Sequence, residues 1–334
     1  MIFDLAFVWA GIIALAVLAY VILDGFDLGV GILFPFFPKK EHRDLMMNTV
    51  TPVWDGNETW LVLGGGGLLA VFPLAYSVIL PALYAPLIAM LLGLVFRGVA
   101  FEFRWRTQRG KFLWDWAFAG GSVVATFTQG IALGALVQGI DVVDRAYAGG
   151  WWDWLTPFSL VTGAALLIGY MLLGATWLIM KTEGYVRQRS REIAWWASIA
   201  TLSLIGIVSL WTPFLNPVFL DRWFAWPALV YSGIVPALLL MCVIILFKGL
   251  SNQQDRAPFF ASLGVFILCY CGILISFYPY VVPPSLTIWD VAAPNDSLKF
   301  LLIGTVVLLP MIVGYTAYAY WVFRGKTDPA EGYH

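Results

Sequence analysis

Nine stretches of this 334-residue chain are apolar for about the length a bilayer crossing demands, roughly 20 residues. They lie near residues 5–33, 60–80, 81–101, 117–139, 158–180, 195–215, 226–247, 258–278 and 299–323. The links between them are short, so no sizeable soluble domain is left over. Runs this long and continuous are expected to be helices, which satisfy their backbone polar groups internally in hydrocarbon. Only 12% of the residues are charged, against about 25% in an ordinary soluble domain. That excludes a soluble enzyme and a disordered chain. Basic and acidic residues number 19 and 20, so no overall charge draws in nucleic acid. The expectation is an all-α integral membrane protein, one polytopic domain over residues 1–334.

Lys and Arg set the orientation. Fifteen of the 19 fall in the links after odd-numbered runs, while the even-numbered links hold only Arg145, Arg222 and Lys299. The positive-inside rule then puts the N-terminus outside and the C-terminus in the cytoplasm. The outer links carry Trp151, Trp152, Trp154, Trp223, Trp226 and Trp289, as an interfacial aromatic belt would. Met1-Ile2-Phe3-Asp4 offers no basic signal-peptide region, so the first run is expected to stay as a span. Cys242, Cys269 and Cys271 lie in apolar runs and read as small apolar filler rather than a disulfide framework.

Charges within spans are functional candidates by default. Asp24 and Asp27 lie three apart in the first run and share a helix face. Asp55 and Glu58 show the same spacing just before the second, and Arg97 and Glu102 close the third. All lie toward the cytoplasmic side. One reading is an ion-pair cluster that fixes helix register. The other is a proton path, since chains of intramembrane acids form relays. One arginine cannot neutralise four acids, so some must bind protons, pair elsewhere or meet water. Gly25 and Gly29 form a small-xxx-small pair, and Gly64 to Gly67 run consecutively. These fit close helix packing within the chain, or the approach of a partner helix or flat ligand.

Other chemistries lack their residues. The two histidines are His42, in a charged link, and His334, the last residue. With no histidine in a span, the chain is expected to ligate no haem. There is no zinc or iron–sulfur ligand cluster, no phosphate-binding glycine loop and no nucleophilic triad pattern. Any electron chemistry is expected in a partner.

Asp24-Gly25-Phe26-Asp27-Leu28-Gly29-Val30-Gly31 resembles the first-helix signature of subunit II of bd-type quinol oxidases. Pro52-Val53-Trp54-Asp55-Gly56-Asn57-Glu58-Thr59-Trp60-Leu61 resembles that family's second motif. A glycine-rich helix and Phe96-Arg97-Gly98-Val99-Ala100-Phe101-Glu102-Phe103-Arg104 follow. The resemblance implies two four-helix bundles plus a peripheral helix. It implies a complex that oxidises quinol and reduces dioxygen to water, generating proton-motive force without pumping. Haems b and d are then expected in subunit I, the heterodimer partner, with room for a small accessory membrane subunit. Asp55 matches an acid held to lie near the mouth of a cytoplasmic proton route, with Glu58 beside it. Asp24, Asp27, Arg97 and Glu102 match supporting polar positions, and Trp54, Gly56, Asn57 and Trp60 read as packing residues of the motif. Asp115, in Trp114-Asp115-Trp116, reads as a solvated rim acid or a weaker member of the path. Glu58 stands where enterobacterial members carry glutamine, which looks closer to the cyanide-insensitive branch. Some enterobacterial members bind a structural quinone in this subunit; this chain is shorter than they are, so whether it has that pocket is left open. A proton-coupled secondary transporter is the alternative class, because polar residues and glycine-broken helices would serve it too.

Overall fold

The computed structural model describes residues 4–215, 219, 223–224, 226 and 228–328. Arg222, His334 and part of the 226–247 run lie partly or wholly outside them. The helices are α1 (Leu5–Leu33), α2 (Lys40–Val50), α3 (Trp54–Val71), α4 (Pro73–Ala82), α5 (Tyr84–Arg106), α6 (Lys111–Gln138), α7 (Pro157–Lys181) and α8 (Gly184–Trp211). They continue with α9 (Ala228–Ser251), α10 (Ala257–Phe277), the short α11 (Ile288–Val291) and α12 (Asn295–Val322). Two small antiparallel hairpins, Val142–Val143 with Ala146–Tyr147 and Tyr280–Val282 with Leu286–Thr287, cap the outer links. Among the described residues, eight helices are long and apolar enough to cross a membrane, and α3 with α4 forms a ninth, broken unit bent by 120°.

That break lies within the run expected over residues 60–80, whose end beside Pro81 agrees with the helix boundary at Leu83. Pro81 itself lies inside α4, and the additional break falls at Phe72, whose φ of −123° and ψ of 61° are not helical. The cause is Pro73, which disfavours helical geometry in the residue before it but is well suited to begin a helix. The second run is therefore divided into Trp54–Val71 and α4, which turns to pack on the outer hairpins and α11. Asp55 consequently lies in the first turn of α3, where a carboxylate complements the helix dipole.

Helix α1 is the organising element. Every residue from Asp24 to Leu33 is buried, because α3, α6, α7 and α10 all pack on it. It runs antiparallel to α3: Asn57 reaches Leu23 and Asp27, Gly64 faces Val17 and Gly67 faces Ile13. It runs alongside α7 at backbone contact, since a Cβ on Gly29 would strike the Tyr170 carbonyl and Gly174. The two middle glycines of the tetraglycine run, Gly65 and Gly66, face open space. Helix α7 packs on α1, α6 and α8, α5 pairs with α6 and α9 with α10, and α12 lies at the periphery. Leu298 is its one buried residue among those described.

Candidate functional site

Arg97 on α5 stands at the centre of a buried charge cluster. Its Nη1 lies 3.0 Å from Asp24 Oδ1 and 3.7 Å from Glu58 Oε2, and its Nη2 lies 3.8 Å from Asp27 Oδ2. Arg97, Asp24 and Asp27 are fully buried, while the Glu58 side chain is 24% exposed. The guanidinium also sits over the rings of Trp54 and Phe101, at 5.9 and 5.6 Å from their centroids. Those two rings stack on each other 4.5 Å apart. Trp54 is thus a cation–π partner as well as a packing residue.

The helix spacings explain the convergence. Asp24 and Asp27 share one face of α1, Asp55 and Glu58 one face of α3, and close packing at Gly93 against Gly121 seats α5 beside α6. Asn57 completes the cluster: its Nδ2 donates to Asp27 Oδ2 at 2.7 Å and to the Leu23 carbonyl at 3.3 Å. Its Oδ1 accepts from the Tyr320 hydroxyl of α12 at 2.9 Å. Buried Tyr20 and Tyr170 stand near Asp24 on the side away from the rim. Three carboxylates therefore face one guanidinium, and the charge count leaves room for two protons.

Other sequence-expected residues fall elsewhere. Asp55 is exposed in the first turn of α3 and makes none of the Arg97 ion pairs. Glu102 does not join the cluster; it lies exposed at the end of α5, 3.8 Å from Arg106 one turn along. Trp60 is buried against Ala16 and Tyr20, and a Cβ on Gly56 would meet open space. Asp115 is not a free rim acid. It accepts from buried Arg104 at 2.5 Å and from Arg43 at 2.8 Å, and Arg104 also pairs with Asp44 at 2.7 Å. This second network ties α2, α5 and α6 together. His42 stacks on Tyr185, with centroids 4.6 Å apart. Among the described residues, no group of three His, Cys, Asp or Glu side chains is placed to hold a metal ion. Tyr320 carried no sequence signal: it lies 263 positions from its partner, in a helix most of whose residues are exposed.

Spanning helices with a buried, arginine-centred acid cluster define a polytopic membrane protein that keeps ionised groups among its spans. The particular family follows from comparison. The family profile for cytochrome bd terminal oxidase subunit II matches residues 5–323, so the chain belongs to that family. It is 31% identical to cytochrome bd-I ubiquinol oxidase subunit 2 of Escherichia coli K12, over 96% of this chain and 95% of that one. It is 27% identical to cytochrome bd ubiquinol oxidase subunit 2 of Bacillus subtilis, over 97% of each. Its fold matches a chain of the bd oxidase of Geobacillus thermodenitrificans with a TM-score of 0.78 at 17% identity, covering 96% of this chain and 98% of that chain. The protein is a multi-pass membrane subunit of a terminal oxidase.

Proposed function

We propose that this chain is the non-haem partner in a complex that oxidises quinol and reduces dioxygen to water, and that it supplies the cytoplasmic proton uptake route while stabilising the haem-bearing subunit. The observation that carries the reading is a gradient of exposure along one line of acids. Asp55 is exposed, Glu58 is partly buried, and Asp24 and Asp27 are fully buried. Haems b and d, held by subunit I, supply the electron chemistry when bound. Reducing one dioxygen consumes four protons, and this chain's residues deliver them. Asp55 takes protons from water at the rim. Glu58, three residues further along the same face, passes them to the carboxylates around Arg97, where the unbalanced charge count lets protons reside. From there they cross to the partner. Glu58 in place of glutamine favours the cyanide-insensitive branch for this complex.

A second reading has support of its own. Arg97 joins acids from α1 and α3 to α5, which is the arrangement of a register lock. The two readings part at Asp55, which makes no ion pair with Arg97. In the assembled complex, Asp55→Asn is expected to lower quinol-driven oxygen consumption by about tenfold or more, with normal assembly and pigment content. Unchanged consumption in a normally assembled complex would remove the uptake role and leave the lock.

A further inference from the structure

We infer that Tyr320 is a positioning residue: its hydroxyl fixes the Asn57 amide so that Asn57 holds the Asp27 carboxylate. The inference deepens the proton-uptake reading and rests on it for its effect on turnover. Its geometry stands apart from that reading. Helix α12 buries one residue among those described, yet Tyr320 crosses from it into the charge cluster. The Tyr320 ring packs edge-on against Phe26 and Trp177, with both centroid distances 6.4 Å. The chain just beyond is strapped down. Lys181 Nζ donates to the Phe323 and Gly325 carbonyls, and the Thr327 amide donates to the Lys181 carbonyl. Lys326 Nζ donates to the Ile179 and Thr182 carbonyls. The hydroxyl is therefore held in place from both the ring and the tail.

The chemistry lies in the two unlike ends of the amide. In the observed orientation its NH2 group serves two acceptors, Asp27 Oδ2 and the Leu23 carbonyl, while its oxygen accepts from Tyr320. A flipped amide would turn its oxygen toward both acceptors and could be tolerated only when Asp27 carries a proton to donate. Donation from Tyr320 to the amide oxygen favours the observed orientation. It also polarises the amide and strengthens the N–H bond to Asp27. Tyr320→Phe removes that single donor and keeps the ring.

The test uses the assembled complex. The infrared carboxyl band of Asp27, assigned by its disappearance in Asp27→Asn, is recorded for the unaltered protein and for Tyr320→Phe. The band is expected to move. Turnover should fall roughly twofold to tenfold, the range one neutral hydrogen bond commands, with KM for quinol unchanged. A band that stays in place overturns the inference. In an Asn57→Ala background, adding Tyr320→Phe should move the band no further; a further shift would show that Tyr320 does not act through Asn57 and would also overturn it. A moved band with unchanged turnover supports the positioning role and counts against the uptake reading instead.

Discussion

Replacing Arg97 by methionine tests the charge cluster most directly. The side chain is fully buried and faces three carboxylates at 3.0, 3.7 and 3.8 Å. Methionine fills a similar volume, so the change removes charge rather than opening a large void. Breaking a buried pair by deleting one partner typically costs about 3–5 kcal/mol, because the remaining charge is left uncompensated. Loss of the stacked Trp54 and Phe101 contacts adds about 0.5–2 kcal/mol. Proton binding by the stranded acids offsets part of this, so a net loss of about 3–5 kcal/mol is the expected magnitude. At about 2 °C per kcal/mol for a chain of this size, the melting temperature of the purified complex should drop by roughly 6–10 °C. The reasoning also fixes a rescue. If uncompensated carboxylate is the cause, Asp24→Asn with Asp27→Asn in the same chain should recover most of the loss. An Arg97→Met complex that assembles and melts like the original would refute the argument. So would a loss that the two asparagines leave untouched.

Two further outcomes follow from the packing and from the tail. Gly29→Ala should prevent stable assembly, because its Cβ would meet the Tyr170 and Gly174 backbone, while Gly206→Ala, with nothing within 4 Å, should be neutral or stabilise by about 0.5–1 kcal/mol; recovery of folded complex from the membrane separates the two. Partial burial alone would raise the Asp255 carboxyl, but the Lys326 hydrogen bond and the charges of Lys326, Arg187 and Arg191 hold it below the usual range. A depressed carboxyl stabilises above its ordinary value near 4 and loses that contribution as pH falls through the folded value. Hydrogen exchange across residues 323–328, corrected for its intrinsic pH dependence, should therefore stay slow at pH 6 and speed up below about pH 4. The gain at stake is about 1 kcal/mol for pairs this exposed. Lys326→Met should give fast exchange at both values, and slow exchange in that variant would disprove the strap.

What could be read in advance was what is local and periodic. Span number and the shared faces of Asp24 with Asp27 and Asp55 with Glu58 depend on helix rise and on hydrophobicity, which neighbouring residues carry. The break at Phe72 was also written locally, in the proline that follows it, but the apolar run continued across it and hid the signal. Glu102 and Asp115 show the limit. Each lies among charges in sequence, yet Glu102 points to solvent and Asp115 to two arginines, one of them 72 positions away. Which way a helix-end side chain turns depends on the neighbour across the groove, and no spacing rule names that neighbour. Asn57 and Tyr320 fall in the same category, because an amide inside a motif reads as packing until its partners are known.

The lock and the path need not compete, and the arrangement gives a physical reason. A lock built from one arginine and one acid would be electrically closed, with no site for a mobile proton. A relay built from acids alone would repel itself and would not hold three helices in register. One guanidinium shared among Asp24, Asp27 and Glu58 does both, since it anchors α1, α3 and α5 while leaving carboxylate in excess. The excess sits between a solvent-facing acid on one side and buried tyrosines on the other. Under the proposed uptake role, stability depends on the arginine and turnover on the surplus acids, so the two properties should separate by mutation. Arg97→Met should act first on melting, and Asp55→Asn on oxygen consumption alone. A variant at Asp55 that lowered both together would show that the rim acid belongs to the lock, and the division of labour would fail.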